Sequence, residues 1–111
     1  MVVNVYSQYF AAEGTFSGVP RHAALVMLIS DSEAGTITYR AAVTFFPHNA
    51  PDDFAVSYDA YFEQQLYSAP GRRSRKRESA LLATLRDVID SLSAAQGASV
   101  DWSQPLGEAR E

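Results

Sequence analysis

Apolar and polar residues alternate in several segments of the first two thirds of the chain, which is the pattern of β-strands. Residues 2–10 are rich in Val, Tyr and Phe, and residues 36–46 show the clearest alternation, with many β-branched and aromatic side chains. Residues 22–30 are apolar at both sets of alternating positions, which is typical of a central strand. Residues 54–67 alternate again, and we interpret them as a fourth strand. A helix over the same residues stays open as an alternative, because apolar side chains also recur there at every fourth position: Phe54, Tyr58, Phe62 and Leu66.

The period of the apolar residues changes after residue 74 and becomes helical. One stripe is formed by Leu81, Leu85, Val88, Leu92 and Ala95. Ser74 is the first candidate for the N-cap and Ser79 a later one, while Gly97 is typical of a helix end. We predict a helix of about 20 residues, whose length of ~30 Å lets it lie along a sheet.

The order ββββα predicts an α+β fold: a four-stranded antiparallel β-meander with one long C-terminal helix packed on one sheet face. The length of 111 residues and the hydrophobic fraction of 47% suit one globular domain. We assign that domain to residues 1–97. Residues 98–111 are interpreted as a C-terminal tail in which Trp102 docks on the domain.

One helix covers only one face of such a sheet, so the other face is expected to carry apolar side chains that need a cover. A homodimer formed sheet to sheet, or a bound partner, would provide it. The residues that we assign to this self-association face are Tyr6, Val26, Leu28, Phe46 and Tyr61.

The stretch APGRRSRKRES, residues 69–79, concentrates positive charge in an acidic chain. It holds five of the nine Lys and Arg residues, so with a net charge of −4 the rest of the chain carries −4 − 5 = −9. If the helix starts near Ser74, its N-terminal N–H groups and partial positive charge add to these cations. The sequence therefore predicts an anion- or partner-binding site, made of Arg72, Arg73, Ser74, Arg75, Lys76 and Arg77. The alternative is a solvated loop, which is what charge runs commonly form.

Three functions compete at this point. The first is a non-enzymatic interaction protein that engages an anionic protein partner through the basic run. The second is a nucleic-acid-binding module with a short single-stranded contact, for which Tyr61 and Tyr67 could supply stacking. The pI of about 5.0 restricts such a contact, because the remaining negative charge repels a polyanion beyond a Debye length of ~8 Å. The third is a small enzyme or ligand binder with a pocket between helix and sheet.

Paired carboxylates do not predict catalysis here. Asp59 and Glu63 would share one face of a strand at ~13 Å from each other, beyond the ~5–9.5 Å of glycosidase pairs. If Phe45 pairs with Phe54, Arg40 falls opposite Asp59, and a cross-strand ion pair explains both residues. We therefore assign no catalytic residue.

Metal and cofactor motifs are also weak. Within the sequence, His48 lies near Asp52 and Asp53, but His22 is distant and no HxxxH or HExxH spacing occurs. The chain has no cysteine, no P-loop, no G-x-G-x-x-G and no G-x-S-x-G. We expect no metal and no cofactor. The longest apolar run is Ala23–Ile29 and the N-terminus does not match a signal peptide, so we expect no membrane contact and a cytoplasmic location.

Overall fold

The computed structural model describes residues 2–14, 22–47 and 60–108 of the chain. Over these residues, strands and a helix follow one another in the order ββββαβ. Their bounds are Val2–Glu13 for β1, His22–Glu33 for β2, Thr36–Pro47 for β3, Ala60–Pro70 for β4, Arg75–Ala94 for α1 and Ser99–Glu108 for β5. The predicted α+β class, an antiparallel sheet with one helix packed against it, is confirmed.

The strands form one sheet in the order β4-β3-β2-β1-β5, and every neighbouring pair is antiparallel. The prediction of four strands is wrong, because residues 99–108, which we expected in a tail, form a fifth strand beside β1. The sequence of β5 lacks a clear alternation of apolar and polar residues because its pairing with β1 is irregular. Ala11 pairs with Asp101 and Phe10 with Pro105, so the β5 residues between these two partners leave the ladder.

The turn between β2 and β3 is shorter than the gap between the two strands predicted over residues 22–30 and 36–46. Ala34 and Gly35 alone connect the strands, with φ angles of 51° and 79°. Two consecutive residues at positive φ make a tight type I′ turn, in which glycine is favoured because it lacks a Cβ. β2 and β3 then pair without a register shift from Glu33 and Thr36 to His22 and Pro47.

α1 packs on one sheet face with the apolar stripe that its spacing predicted. Leu85 and Ile89 are buried there, and Leu81, Val88 and Leu92 are half-buried against the same core. The central strands contribute one alternating set of residues: Ala24, Val26, Leu28, Ile37, Tyr39, Ala41, Val43 and Phe45. Gly97, at φ 73°, ends the helix and lets the Ala98 N–H donate to the Ser93 carbonyl (2.9 Å). No helix of the described residues is long and apolar enough to cross a membrane.

The structure divides the predicted self-association face between the two faces of the sheet. Val26 and Leu28 are fully buried under α1, and Tyr6, which pairs with Leu28, lies on the same side. Phe46 and Tyr61 lie on the face opposite α1. Alternation could not separate these sets, because β2 is apolar on both faces. A bulge just before Tyr6 also reverses which residues of β1 point towards the helix.

The strand interpretation of residues 54–67 holds for residues 60–67, and residues 54–59 lie outside the described residues. The expected register is wrong, because Phe45 pairs with Ala60 and not with Phe54. The Arg40 guanidinium forms an ion pair with Glu63, with 3.2 Å from Nε to Oε2. Asp59, the partner that we expected for Arg40, is not among the described residues.

Candidate functional site

The basic run begins where β4 ends, at one end of the sheet. The Gly71 N–H donates to the Gly35 carbonyl (2.8 Å), which joins the loop over residues 71–74 to the β2–β3 turn. Gly71 has a φ of 131°, which side chains of L-residues rarely adopt, so glycine is favoured where the chain leaves the sheet. α1 starts at Arg75, and the cations are therefore held next to a helix N-terminus.

Ser74 is the N-cap of α1, as predicted, and Ser79 lies inside the helix. Ser74 has an extended backbone, and its hydroxyl accepts a hydrogen bond from the Arg77 N–H (3.3 Å). Its carbonyl accepts the first helical bond, from the Glu78 N–H (2.9 Å). The Ser74 side chain thus satisfies one of the free N–H groups in the first turn of the helix.

A buried carboxylate beneath the run binds one of its arginines. Glu78 is 7% exposed and accepts a fork of hydrogen bonds from Arg73, with Nε to Oε2 at 2.9 Å and Nη2 to Oε1 at 3.1 Å. The hydroxyl of Tyr39, fully buried on β3, donates to Glu78 Oε2 (2.7 Å) and accepts from the Ser74 N–H (3.2 Å). Loop, helix and strand are joined at one point by bonds to an ionised group, which are stronger than neutral ones.

These hydrogen bonds change the protonation behaviour of the three side chains. The Arg73 fork is the main cause that lowers the pKa of Glu78 below its ordinary value, so the carboxylate is ionised at neutral pH. Burial, followed by the hydrogen bond to Glu78, raises the pKa of Tyr39. The hydrogen bond to Glu78 likewise raises the pKa of Arg73. Arg73 therefore already has its counter-ion within the chain.

Arg77 also has a partner in the fold. Its guanidinium carbon lies 4.2 Å from the centroid of the Tyr67 ring, on β4, which is cation–π geometry. The same tyrosine lies beside Tyr39, with 6.2 Å between the ring centroids. One face of Tyr67 is consequently covered by an arginine of the chain itself.

The remaining cations of the run, Arg72, Arg75 and Lys76, are exposed. Within the described residues, no hydrogen bond or ion pair joins their side chains to another side chain. Arg75 acts on Glu78 only at longer range, where its charge helps to lower the pKa of that carboxyl. The structure thus brings the basic run together and divides it into two groups. Arg73, Ser74 and Arg77 are bound into the fold, whereas Arg72, Arg75 and Lys76 present their charges to solvent.

The sheet face opposite α1 exposes less apolar surface than the strand pattern suggested. Its buried residues are Ala23, Ile29, Ala42 and Thr44, and its half-buried ones include Leu25, Met27 and Phe46. Tyr61 is 42% exposed, and its hydroxyl donates to Glu63 (2.8 Å). This face therefore has less need of a cover by a second copy, and the sheet-to-sheet homodimer stays a prediction.

The residues weighed for metal binding or catalysis do not assemble within the described residues. His22 is buried on the helix side of the sheet, with its ring edge-on to Phe45 at 6.5 Å between centroids. His48, Asp52, Asp53 and Asp59 lie outside the described residues. In the part of the chain that the structure describes, no three His, Asp or Glu side chains come together as a metal site.

A cleft of about 600 Å³ lies between β1 and β5, and no sequence pattern predicted it. It lies at the β1–β5 edge of the sheet, and not between helix and sheet where the enzyme or ligand-binder alternative places a pocket. It is lined by Ala11, Ala12, Glu13, His22, Ser99, Val100, Asp101, Gln104 and Leu106. Both carboxylate oxygens of Asp101 are engaged within β5: Oδ1 accepts from Ser103 and Oδ2 from Gln104 (2.7 Å). The cleft exists because β5 pairs with β1, and that pairing was not predicted.

Comparisons of the chain with protein-family models, with curated proteins and with solved structures found no match.

Proposed function

We propose that this chain is a non-enzymatic binding protein whose three exposed cations, Arg72, Arg75 and Lys76, engage an acidic surface of another protein. The observation that carries the proposal is the division of the basic run. Two arginines of the run have partners inside the fold, whereas these three side chains have none within the described residues.

The fold holds the backbone that carries the three cations in a defined place, which favours binding over a solvated loop. Ser74 caps the helix directly between Arg72 and Arg75. The loop is joined to the β2–β3 turn through Gly71 and to β3 through the Tyr39 hydroxyl. Less conformational entropy is lost on binding when charges are already positioned, so affinity per contact is higher than for a flexible basic tail.

An acidic protein surface fits better than a nucleic acid. The chain is acidic as a whole, with a net charge of −4, so a long polyanion is repelled outside the immediate contact. The two tyrosines that could have stacked on bases are engaged. Arg77 lies over the Tyr67 ring. The Tyr61 hydroxyl donates to Glu63, and Tyr61 lies ~20 Å from Tyr67 along β4. A nucleotide base beside the exposed cations would therefore meet a Tyr67 ring already covered on one face, and Tyr61 lies too far away to stack on it.

Binding titrations with a short polyglutamate peptide and with a single-stranded oligonucleotide of equal length test the proposal, since neither probe then extends far beyond the three cations. We expect wild type to bind polyglutamate, and the triple variant Arg72→Gln, Arg75→Gln, Lys76→Gln to lose at least about ten-fold in affinity. The matched control introduces three negative charges on exposed residues elsewhere, as Ala83→Glu, Ser91→Glu and Gln96→Glu. It lowers the net charge by the same amount and should retain most of the affinity.

The outcomes separate the candidate functions. Equal binding by wild type and the triple variant would overturn the proposed site. Tighter binding of the oligonucleotide than of polyglutamate, with a slope of log K against log salt near −2 for three contacts, would favour the nucleic-acid module instead.

A further inference from the structure

The two edges of the sheet differ in their readiness to accept another strand. β5 has an irregular ladder, its Pro105 has no N–H to donate, and the Asp101 carboxylate takes the Ser103 N–H (3.0 Å). Such features protect an edge from pairing with another chain. β5 is therefore a poor template for an added strand.

β4, at the opposite edge, has few of these protective features. No described strand pairs with its outer edge, and proline occurs only at its last residue, Pro70. Its one charged side chain, Glu63, is neutralised by Arg40. Its ladder with β3 is regular from Ala60 to Gln65, and a single bulge follows before Tyr67. An edge strand of this kind offers its backbone N–H and C=O groups to a partner segment.

The exposed cations lie at one end of this edge. β4 ends at Pro70, Arg72 follows two residues later, and Arg77 of the first helical turn lies over Tyr67 of β4. A partner strand that runs antiparallel to β4 would begin near these cations. Its N-terminal residues would then meet positive charge, while its later residues would pair with the neutral part of β4.

We infer that the outer edge of β4 accepts an extended segment of the partner as an additional antiparallel strand, with acidic residues at the N-terminal end of that segment. This inference rests on the proposed function, because the cations that select the acidic end are those of the proposed site. Backbone hydrogen bonds supply affinity in this mode of recognition, and the charges supply register and direction.

A synthetic peptide of about eight residues, with glutamates first and alternating valine and threonine after them, is the probe. Two N-methylated versions carry methyl groups on alternate backbone amides, one on the even set and one on the odd set. Charge and side chains are the same in both. Because only one set of N–H groups points at β4 in a strand pair, one version should bind like the parent. The other should lose at least about ten-fold in affinity.

The direction of the strand is tested by a peptide with the glutamates moved to its C-terminal end, which should bind more weakly than the parent. Hydrogen exchange should slow in the amides of residues 60–70 when the parent peptide binds, and not in β5.

Two results would overturn strand addition. One is equal binding of both N-methylated peptides, and the other is a parent peptide that does not bind although polyglutamate does. Either result leaves the proposed function standing, provided that the triple variant still loses polyglutamate affinity. If the triple variant binds every probe as wild type does, the proposed function fails as well.

Discussion

Glu78 joins the start of α1 to Arg73 of the preceding loop and to Tyr39 of β3. Replacing it with Gln keeps its size but removes the charge that Arg73 and Tyr39 bind. Hydrogen bonds to charged groups contribute about 1.5–3 kcal/mol. Because Arg73 is partly exposed, we expect Glu78→Gln to lower the free energy of unfolding by about 2 kcal/mol, measured by urea denaturation. The control Glu33→Gln changes an exposed acid and should cost less than about 0.5 kcal/mol.

The same carboxylate predicts how stability depends on pH. The pKa of Glu78 is lowered in the folded chain by the Arg73 fork, so the unfolded chain takes up protons first as the pH falls. The stabilisation is complete above the unfolded pKa of about 4.3 and is lost as the pH falls through the folded pKa. The difference in unfolding free energy between wild type and Glu78→Gln should be constant near neutral pH and shrink on acidification. A difference that grows on acidification would contradict the lowered pKa.

At the residue scale, local chemistry was predictable and long-range partners were not. Ser74 could be assigned as the cap, because a cap depends on a serine and the residues that follow it. The Tyr39–Glu78 bond joins residues 39 positions apart, and no spacing pattern links them. Glu78 is the only acidic residue in the stretch of residues 69–79, so it is the nearest counter-charge to the basic residues along the sequence. Its burial and its fork with Arg73 became visible only in the fold.

The two serine candidates for the helix cap provide a matched pair of variants. Ser74→Ala removes the hydroxyl that accepts from the Arg77 N–H, so we expect a loss of about 1 kcal/mol in the free energy of unfolding. Ser79→Ala changes an exposed residue inside the helix and should be neutral or slightly stabilising, because alanine has the higher helix propensity. Urea denaturation of both variants checks this. Equal losses would mean that the cap contributes nothing.

Trp102 joins β5 to the rest of the fold. Its Nε1–H donates to Asp90 on α1 (2.9 Å), its ring packs edge-on against Phe10 of β1 (4.8 Å between centroids), and Arg86 lies over it at 5.2 Å. We expect Trp102→Ala to cost about 3 kcal/mol, the lower end for a large aromatic residue, because the side chain is only half-buried.

Hydrogen exchange shows whether that loss is local. Amide protection should fall most in β5, whereas β2 and β3 should change little. The control Leu106→Ala removes an exposed side chain of the same strand and should have a small effect. Uniform loss of protection across the sheet would show that β5 does not separate from the other strands as a unit.

At the element scale, the sequence predicted those elements whose apolar residues form a regular pattern. α1 and β3 were predictable because their apolar residues keep one period along the whole element, and β2 because its apolar run is typical of a central strand. β5 contains Pro105, Gly107 and residues outside its ladder, so its sequence has the composition of a loop although its backbone is a strand. Its place beside β1 also depends on the crossing of α1 over the sheet, which follows from packing and not from a local pattern.

At the scale of the whole molecule, the charged residues of the basic run divide into those that stabilise the fold and those that remain exposed to solvent. Arg75 and Lys76 lie in the first turn of α1, where the helix dipole already favours negative charge. Arg73 offsets Glu78, but the three exposed cations offset no carboxylate that they contact within the described residues. The helix dipole therefore makes the placement of Arg75 and Lys76 slightly unfavourable for folding, although the charge of Arg75 also stabilises the ionised Glu78 at longer range.

The triple variant Arg72→Gln, Arg75→Gln, Lys76→Gln should accordingly be as stable as wild type, or more stable by about 0.5 kcal/mol. The gain is electrostatic, so it should disappear in about 1 M salt, where the Debye length is ~3 Å. Arg73→Gln should be destabilising, because it leaves Glu78 buried without its fork. Urea denaturation at low and high salt measures all of these differences. A triple variant that is clearly less stable would mean that the three cations serve the fold. A gain that salt removes would mean that folding does not explain their placement.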